Sequence, residues 1–422
     1  MQKTLSIFIY LILLLGFVLS KPLVSQEIRK EGRYFVAEIN KEMNVKPGGS
    51  LRIYDIRGDV KVNVWGKNKV SIREIKKMDV FTDEEARTAL EKSKSEYRYH
   101  DNIVEISGET FSRNWIISRF NITVPKSFNV DVTTRAGDIT ILGAGGEVSL
   151  RTSGGDIILR NIEGVVEART SGGDIEVTNS KNRVNIKTSG GDIELRNIGG
   201  PVNAKTSGGD VKIVGATGDI ELTTSGGDIE IFEVEGKVIA RTSGGDLEIE
   251  NTSGPVTAQT SGGDIRFRKI DGRLIVSTSG GDIKGRTVLS NCEVSTAGGS
   301  IQLRDVQGGV KAKTAGGDIT VEVTLKDFSK EHYVDLRTAS GDITLFIPEK
   351  LPASINAEIK ITDRWEDYNI YSDFPLKVSD GPGAQKRHWG SKTLRARGDI
   401  NGGGDPIELY TTNGDIHIKK LK

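Results

Sequence analysis

Arg151-Thr-Ser-Gly-Gly-Asp-Ile-Ile-Leu159 runs straight into Arg160-Asn-Ile-Glu-Gly-Val-Val-Glu-Ala168, and the pattern then starts again at Arg169. The Thr that opens Thr-Ser-Gly-Gly-Asp, or a close variant, stands at 134, 152, 170, 188, 206, 224, 242, 260, 278, 296 and 314, always 18 residues apart. A further copy opens at Thr338 after six extra residues, and a last one at Thr411. A fixed period of this kind marks a stacked-repeat architecture, not an ordinary globular core.

Each period divides into two halves of nine. Alternation puts Ile157 and Leu159 on one face of a short strand, and Val166, Ala168 and Thr170 on one face of the next. Ile162 points inward at the bend between them. These positions recur as columns: Ile157 is followed by Ile175, Ile193, Val211 and Ile229, and Val166 by Val184, Val202 and Ile220. One coil with so few inward side chains does not offset the ordering of its backbone, at roughly 1–2 kcal/mol per residue. Stacking does, because every strand then gains backbone partners above and below and the apolar columns close. The fold predicted is all-β: a single-stranded β-helix, or β-solenoid, of 18-residue coils. Eleven strict coils at about 4.8 Å each make a rod near 50 Å long.

Glycines mark the corners. Gly154 and Gly155 lie where the chain reverses before Ile157, and Gly164, Gly200, Gly218 and Gly236 mark the second corner. Asn182 stands in for Gly in one coil. The expected reason is a positive φ or a close backbone approach, and Asn is the commonest non-Gly residue in the left-handed region.

Composition agrees. Gly accounts for 51 of 422 residues, well above the usual ~7 per cent, while Pro accounts for only 10, which excludes collagen and Pro-rich linkers. Lys+Arg and Asp+Glu balance at 58 each, so the chain as a whole has no general attraction for nucleic acid. Lys3 followed by the apolar run Leu5 to Leu19 reads as an export signal, with cleavage after Ser20 or Ser25. An uncleaved N-terminal membrane anchor is the lesser alternative. The lone Cys292 rules out an internal disulfide and falls in the apolar column of Val166.

Four regions are expected: a signal peptide at 1–25, degenerate coils and a helical cap at 26–133, the regular solenoid at 134–323, and irregular coils with a second cap at 324–422. Residues 48–65 alternate like a degenerate coil, and Phe120 to Pro125 leads into the first strict coil. Thr82-Asp-Glu-Glu85 is a capping box, predicting a short helix that reaches about Lys94 and covers the open end. Trp365, Tyr368, Tyr371, Phe374 and Trp389 concentrate near the C-terminus, as the packing of a cap or as an exposed patch.

Asp156, Asp174, Asp192, Asp210, Asp228, Asp246, Asp264 and Asp282 repeat at one corner and form the only candidate metal site. Stacked carboxylates about 5 Å apart repel by about 1 kcal/mol per pair even with water-like screening. Either each accepts N–H bonds from its own Gly-Gly corner, or divalent cations line the column. Calcium β-rolls carry Asp at both corners. Here the opposite corner reads Ile162-Glu-Gly164, so a shell of six to eight oxygens is hard to complete. Glu176, Glu194, Glu230 and Glu248, then Arg266 and Lys284, occupy outward positions, which also suits a solvated face. No long loop walls a catalytic pocket. His100, His332, His388 and His417 lack metal-ligand spacing, and the triplets Arg57-Gly58-Asp59 and Arg397-Gly398-Asp399 are too short to carry recognition.

The Thr152-to-Asp156 coils, Ile343-Thr-Leu-Phe-Ile-Pro348 and the closing stretch Gly402 to Ile416 resemble a bacterial family, the domain of unknown function 4097, whose members carry the label adhesin. The likeness spans about 45 to 420. It implies a β-helix in the bacterial envelope and transfers no catalytic residue or cofactor. The expected function is therefore a non-enzymatic structural or adhesive scaffold, periplasmic, at the cell surface or secreted. Its expected partners are envelope proteins or surface glycans, and it is expected as a monomer or small oligomer. A carbohydrate-active β-helix enzyme and a weak calcium-binding repeat protein are the alternatives.

Overall fold

The computed structural model describes residues 27–108, 116–363, 367–380 and 392–421; the N-terminal apolar run, His388, Trp365 and Trp389 lie outside them. Among the described residues, no helix is long and apolar enough to cross a membrane.

Most coils of the array supply a six-residue strand such as Ile157–Ile162 and a four-residue strand such as Val166–Arg169. The six-residue strands pair in parallel with those of the next coil, Ile157 beside Ile175 and Ile175 beside Ile193. The four-residue strands build a second sheet in the same way, Val166 beside Val184 and Val184 beside Val202. Parallel pairing with an 18-residue offset forces each side chain above its own counterpart. Ile157, Leu159, Ile162, Val166 and Ala168 are fully buried, and their columns fuse into one core along the rod.

The inward turn of Ile162 has a cause that alternation alone does not supply. Asn161 adopts a left-handed backbone, φ 58°, so two outward residues, Arg160 and Asn161, precede an inward one. The same conformation recurs in successive coils at Asn179, Asn197, Gly215, Glu233, Asn251, Lys269, Thr287 and Asp305. Apart from Gly215, Asn tolerates it best, whereas the β-branched Thr287 adopts it only because its neighbours fix the kink.

The corner glycines need Gly for another reason. Gly154, Gly155, Gly164, Asn182, Gly200, Gly218 and Gly236 all sit at bends, yet none has a positive φ. The left-handed explanation for them, including the inference from Asn182, is therefore corrected. Close approach governs at Gly155, Gly164, Gly200, Gly218 and Gly236, whereas a Cβ on Gly154 would meet nothing within 4 Å. A Cβ on Gly209 would stand under 3.0 Å from the Gly191 carbonyl oxygen of the coil below, closer than real Cβ atoms come. At Gly208 the nearest atom would be 3.5 Å away, an ordinary contact. The chain's own copies agree: Ala136, Ser340 and Asn413 replace the first glycine, while the second remains Gly137, Gly341 and Gly414, of which Gly137 and Gly341 also have a positive φ.

Chain order and stacking order part at both ends. Ser50–Ile56 lies between Ile103–Ser107 and Asn129–Thr134, and Gly58–Trp65 lies between Ile116–Pro125 and Ile139–Leu142. Residues 48–65 thus form a coil, but it is the one that abuts the regular array. Phe120 to Pro125, expected to lead directly onto the first strict coil, lies one layer further out. At the other end, Asp405–Thr412 is inserted between Val334–Thr338 and Ala353–Ile361. Antiparallel strands finish both ends, Lys69–Met78 and Tyr34–Asn44 at one, Lys392–Ile400 and Lys377–Asp380 at the other.

The helix runs Asp83–Lys92, with both bonds of the Thr82–Glu85 capping box formed. Ala86, Ala89 and Leu90 pack with Phe35, Ala37 and Met78 into a small core separate from the rod's column, so the helix sits beside the sheet extension. A buried pair anchors its end. Lys76 contacts Glu74 at 3.0 Å and donates to the carbonyl of Ser93, the C-cap residue. Glu74 also accepts from Ser95 Oγ and the Tyr97 hydroxyl. Burial first, then the Glu74 charge, pushes the Tyr97 hydroxyl up.

Two expectations follow. Gly209→Ala should lower the melting temperature by the equivalent of about 2–4 kcal/mol, while Gly208→Ala stays within about 0.5 kcal/mol of the parent. Equal effects would contradict the stacking account. Lys76→Met strands a buried carboxylate and should cost about 3–5 kcal/mol in a denaturant titration.

Candidate functional site

The Thr-Ser-Gly-Gly-Asp corner is a repeating set of contacts between coils. Thr206 Oγ1 accepts from its own Gly209 N–H at 3.4 Å and donates to the Gly191 carbonyl of the preceding coil at 2.8 Å. Asp192 donates its N–H to Asp174 Oδ1 at 2.8 Å, and Asp210 does the same to Asp192. Each carboxylate therefore serves the next coil's Asp N–H, where the sequence pointed to its own Gly-Gly corner. The ladder also reaches past the eight repeat aspartates. It begins with Asp138 donating to Asp59, passes Ser300, and continues through Asp342 to Asp415 and Asn369.

With Oδ1 engaged, Asp156, Asp174, Asp192, Asp210 and Asp228 present one outer oxygen each. Arg266 takes Oδ2 of Asp246 and Asp264, and Lys284 that of Asp282. Among the described residues no group of three or more His, Cys, Asp or Glu is gathered tightly enough to hold a metal ion. At Asp282 the Ser300 N–H, helped by Lys284, holds the carboxyl below its ordinary value.

The second corner carries a groove of about 790 Å³ running lengthwise over five coils. The left-handed kink creates it. One wall is the Asn161, Asn179, Asn197 ladder, in which Asn179 Nδ2 donates to Asn161 Oδ1 at 2.9 Å and Asn197 Nδ2 to Asn179 Oδ1 at 3.0 Å. Gly199 and Gly215 leave it open midway, and Glu163, Lys181, Thr217 and Glu235 line the other side. Hydrogen bonds from Lys181 and Lys126 hold the Glu163 carboxyl low, the opposite of what a general acid requires. Neither the groove nor the asparagine ladder was singled out in the sequence. Asn at 161, 179 and 197 was the available signal.

Outward, Glu176 pairs with Arg160, Glu194 with Arg196 and Glu230 with Lys212, as solvated ion pairs. Cys292 is buried, which pushes its thiol up to about 12. His100 pairs with Glu105, His332 is buried against backbone carbonyls, and His417 stacks on Tyr371. Asp59 and Asp399 of the two Arg-Gly-Asp triplets accept from Asp138 N–H and Ser354 Oγ. Of the described C-terminal aromatics, Phe374 is buried, Tyr368 packs against the core and Tyr371 is half exposed.

The profile of the Toastrack DUF4097 family matches residues 55–240 and again residues 235–419. Among solved structures, a candidate adhesin from Bacteroides fragilis is 17% identical, with 59% of this chain and 96% of that one covered at a TM-score of 0.29. A candidate cell adhesion protein from Clostridium sporogenes is 9% identical, covering 91% of this chain and 100% of that one at 0.14. A candidate lipid binding protein from Parabacteroides distasonis is 11% identical, covering 91% and 97% at 0.17. No curated protein matches the chain.

The lowered Asp282 carboxyl sets a pH dependence. A depressed folded value means stabilisation fully present above the unfolded value of about 3.9 and lost as pH falls through the folded one. Asp282→Asn should therefore melt below the parent at neutral pH, and the gap should close at strongly acid pH. A gap that stays constant with pH would contradict the assignment.

Proposed function

Because the chain belongs to the Toastrack DUF4097 family, we propose that it is a non-catalytic β-solenoid scaffold, exported to the bacterial envelope, whose long surfaces bind an extended ligand. The observation that supports this most is the split between constant inward columns and variable outward ones. Ile157, Ile175 and Ile193 repeat inside, whereas Ile158, Glu176, Glu194 and Lys212 vary outside on one rigid face. A rod of this kind fixes the spacing of its surface groups over many coils, which suits linear ligands. The lengthwise groove is the natural seat for one. Its best-placed carboxylate, Glu163, is bound between two lysines, which favours recognition over acid catalysis.

Glycan arrays and pull-downs on isolated envelopes with the full chain test this reading. Thr217→Trp, exposed in the groove, should weaken groove binding about tenfold with the melting temperature unchanged. Absence of any bound glycan or envelope component would sink the scaffold reading. Release of shortened sugars would replace it with an enzyme.

A further inference from the structure

The outer column of the second sheet carries a file of four cations. Arg151, Arg169, Lys187 and Lys205 stand in register on four consecutive coils, with Thr133 before them and Thr223 after. All four are exposed, and none has a carboxylate within ion-pair distance. Several other cations of the array are answered by acids of their own or a neighbouring coil, although Arg286 and Arg304, in register with Arg268 on the first sheet, are not. Arg160 meets Glu176, Lys181 meets Glu163, Arg266 meets Asp246 and Asp264, and Arg268 meets Glu250. Like charges directly opposite on neighbouring strands are destabilising, and here three such steps follow one another at about 4.8 Å. The fold gains nothing visible from this file of charge.

We propose that Arg151, Arg169, Lys187 and Lys205 bind a linear acidic polysaccharide lengthwise, one carboxylated sugar per coil. This rests on the scaffold reading and adds a second binding face, apart from the groove, together with its ligand class. The charge spacing is that of a polymer with one anion about every 5 Å along a straight line. Guanidinium and ammonium groups supply charge-assisted bonds to each carboxylate. Exposed Ser171, Ser189 and Ser207 run along one side of the file and half-buried Asn185 along the other, offering partners for sugar hydroxyls. Single-stranded nucleic acid would call for aromatic stacking platforms. No aromatic residue occurs between Phe128 and Phe232.

The test is titration of the full chain with oligogalacturonates of increasing length. Affinity should rise with each sugar up to about four and then level off, and should fall steeply with salt. Arg169→Gln combined with Lys187→Gln should weaken binding about tenfold and flatten the salt dependence, with the melting temperature equal to the parent's or higher. Lys311→Gln with Lys313→Gln, further along the same sheet, should leave affinity unchanged. No binding to oligogalacturonate at low salt, affinity independent of length, or an unaffected double variant would overturn the proposal. Tighter binding to oligo-dT or to phosphatidylglycerol vesicles would also overturn it. If glycan arrays remain positive while this titration is negative, the ladder falls and the scaffold stands. If both are negative, both fall.

Discussion

Two peptide backbones meet at the second glycine of every corner, with no room between them for a side chain. The Gly209 position lies against the Gly191 carbonyl so closely that a Cβ would collide with it. Thr206 uses that same carbonyl as its acceptor while holding the Gly209 N–H. A hydroxyl with one donor and spare acceptor capacity thus fixes its own turn and locks it to the coil below. Asp174, accepting the next coil's N–H, adds a second lock. The spacing of the columns, the register of both sheets and the continuity of the core all depend on this contact.

That constraint explains what the chain tolerates elsewhere. With the corners pinned, the opposite bend is obliged to turn Ile162 inward, and a left-handed residue at the Asn161 position does so. Nine coils in succession accept that conformation, with Glu233, Lys269 and Thr287 in it although such residues disfavour it. Stacking overrides local preference, and the resulting dent, repeated in register, becomes the groove. The surface feature and the core therefore have one origin.

The ends obey a different logic. A stack of parallel strands has two unsatisfied edges, and edges invite further pairing. This chain places an early coil, residues 50–65, beneath a later one, and a late coil, residues 405–420, beneath an earlier one. Antiparallel strands then close each end, while the helix adds a core of its own beside one of them. The outermost coils are held by segments remote in sequence, so fraying at either end has to disturb a layer inside it.

The 18-residue period, the face of every strand in the array, the core columns and the capping box at Thr82 were legible from the residues alone. Each is a local periodicity, and a period repeated eleven times leaves one way to bury its apolar positions. Three other matters were decided by the tertiary structure. The reason for the corner glycines lies in the distance between coils, which no single coil contains. The partner of each Asp carboxylate is 18 residues away, not in its own turn. The swapped order of the terminal coils pairs Ser50–Ile56 with Asn129–Thr134, and Asp405–Thr412 with Val334–Thr338. Periodicity specifies how neighbours stack, but it carries no instruction for where the repeat fails, and there long-range pairing alone sets the order.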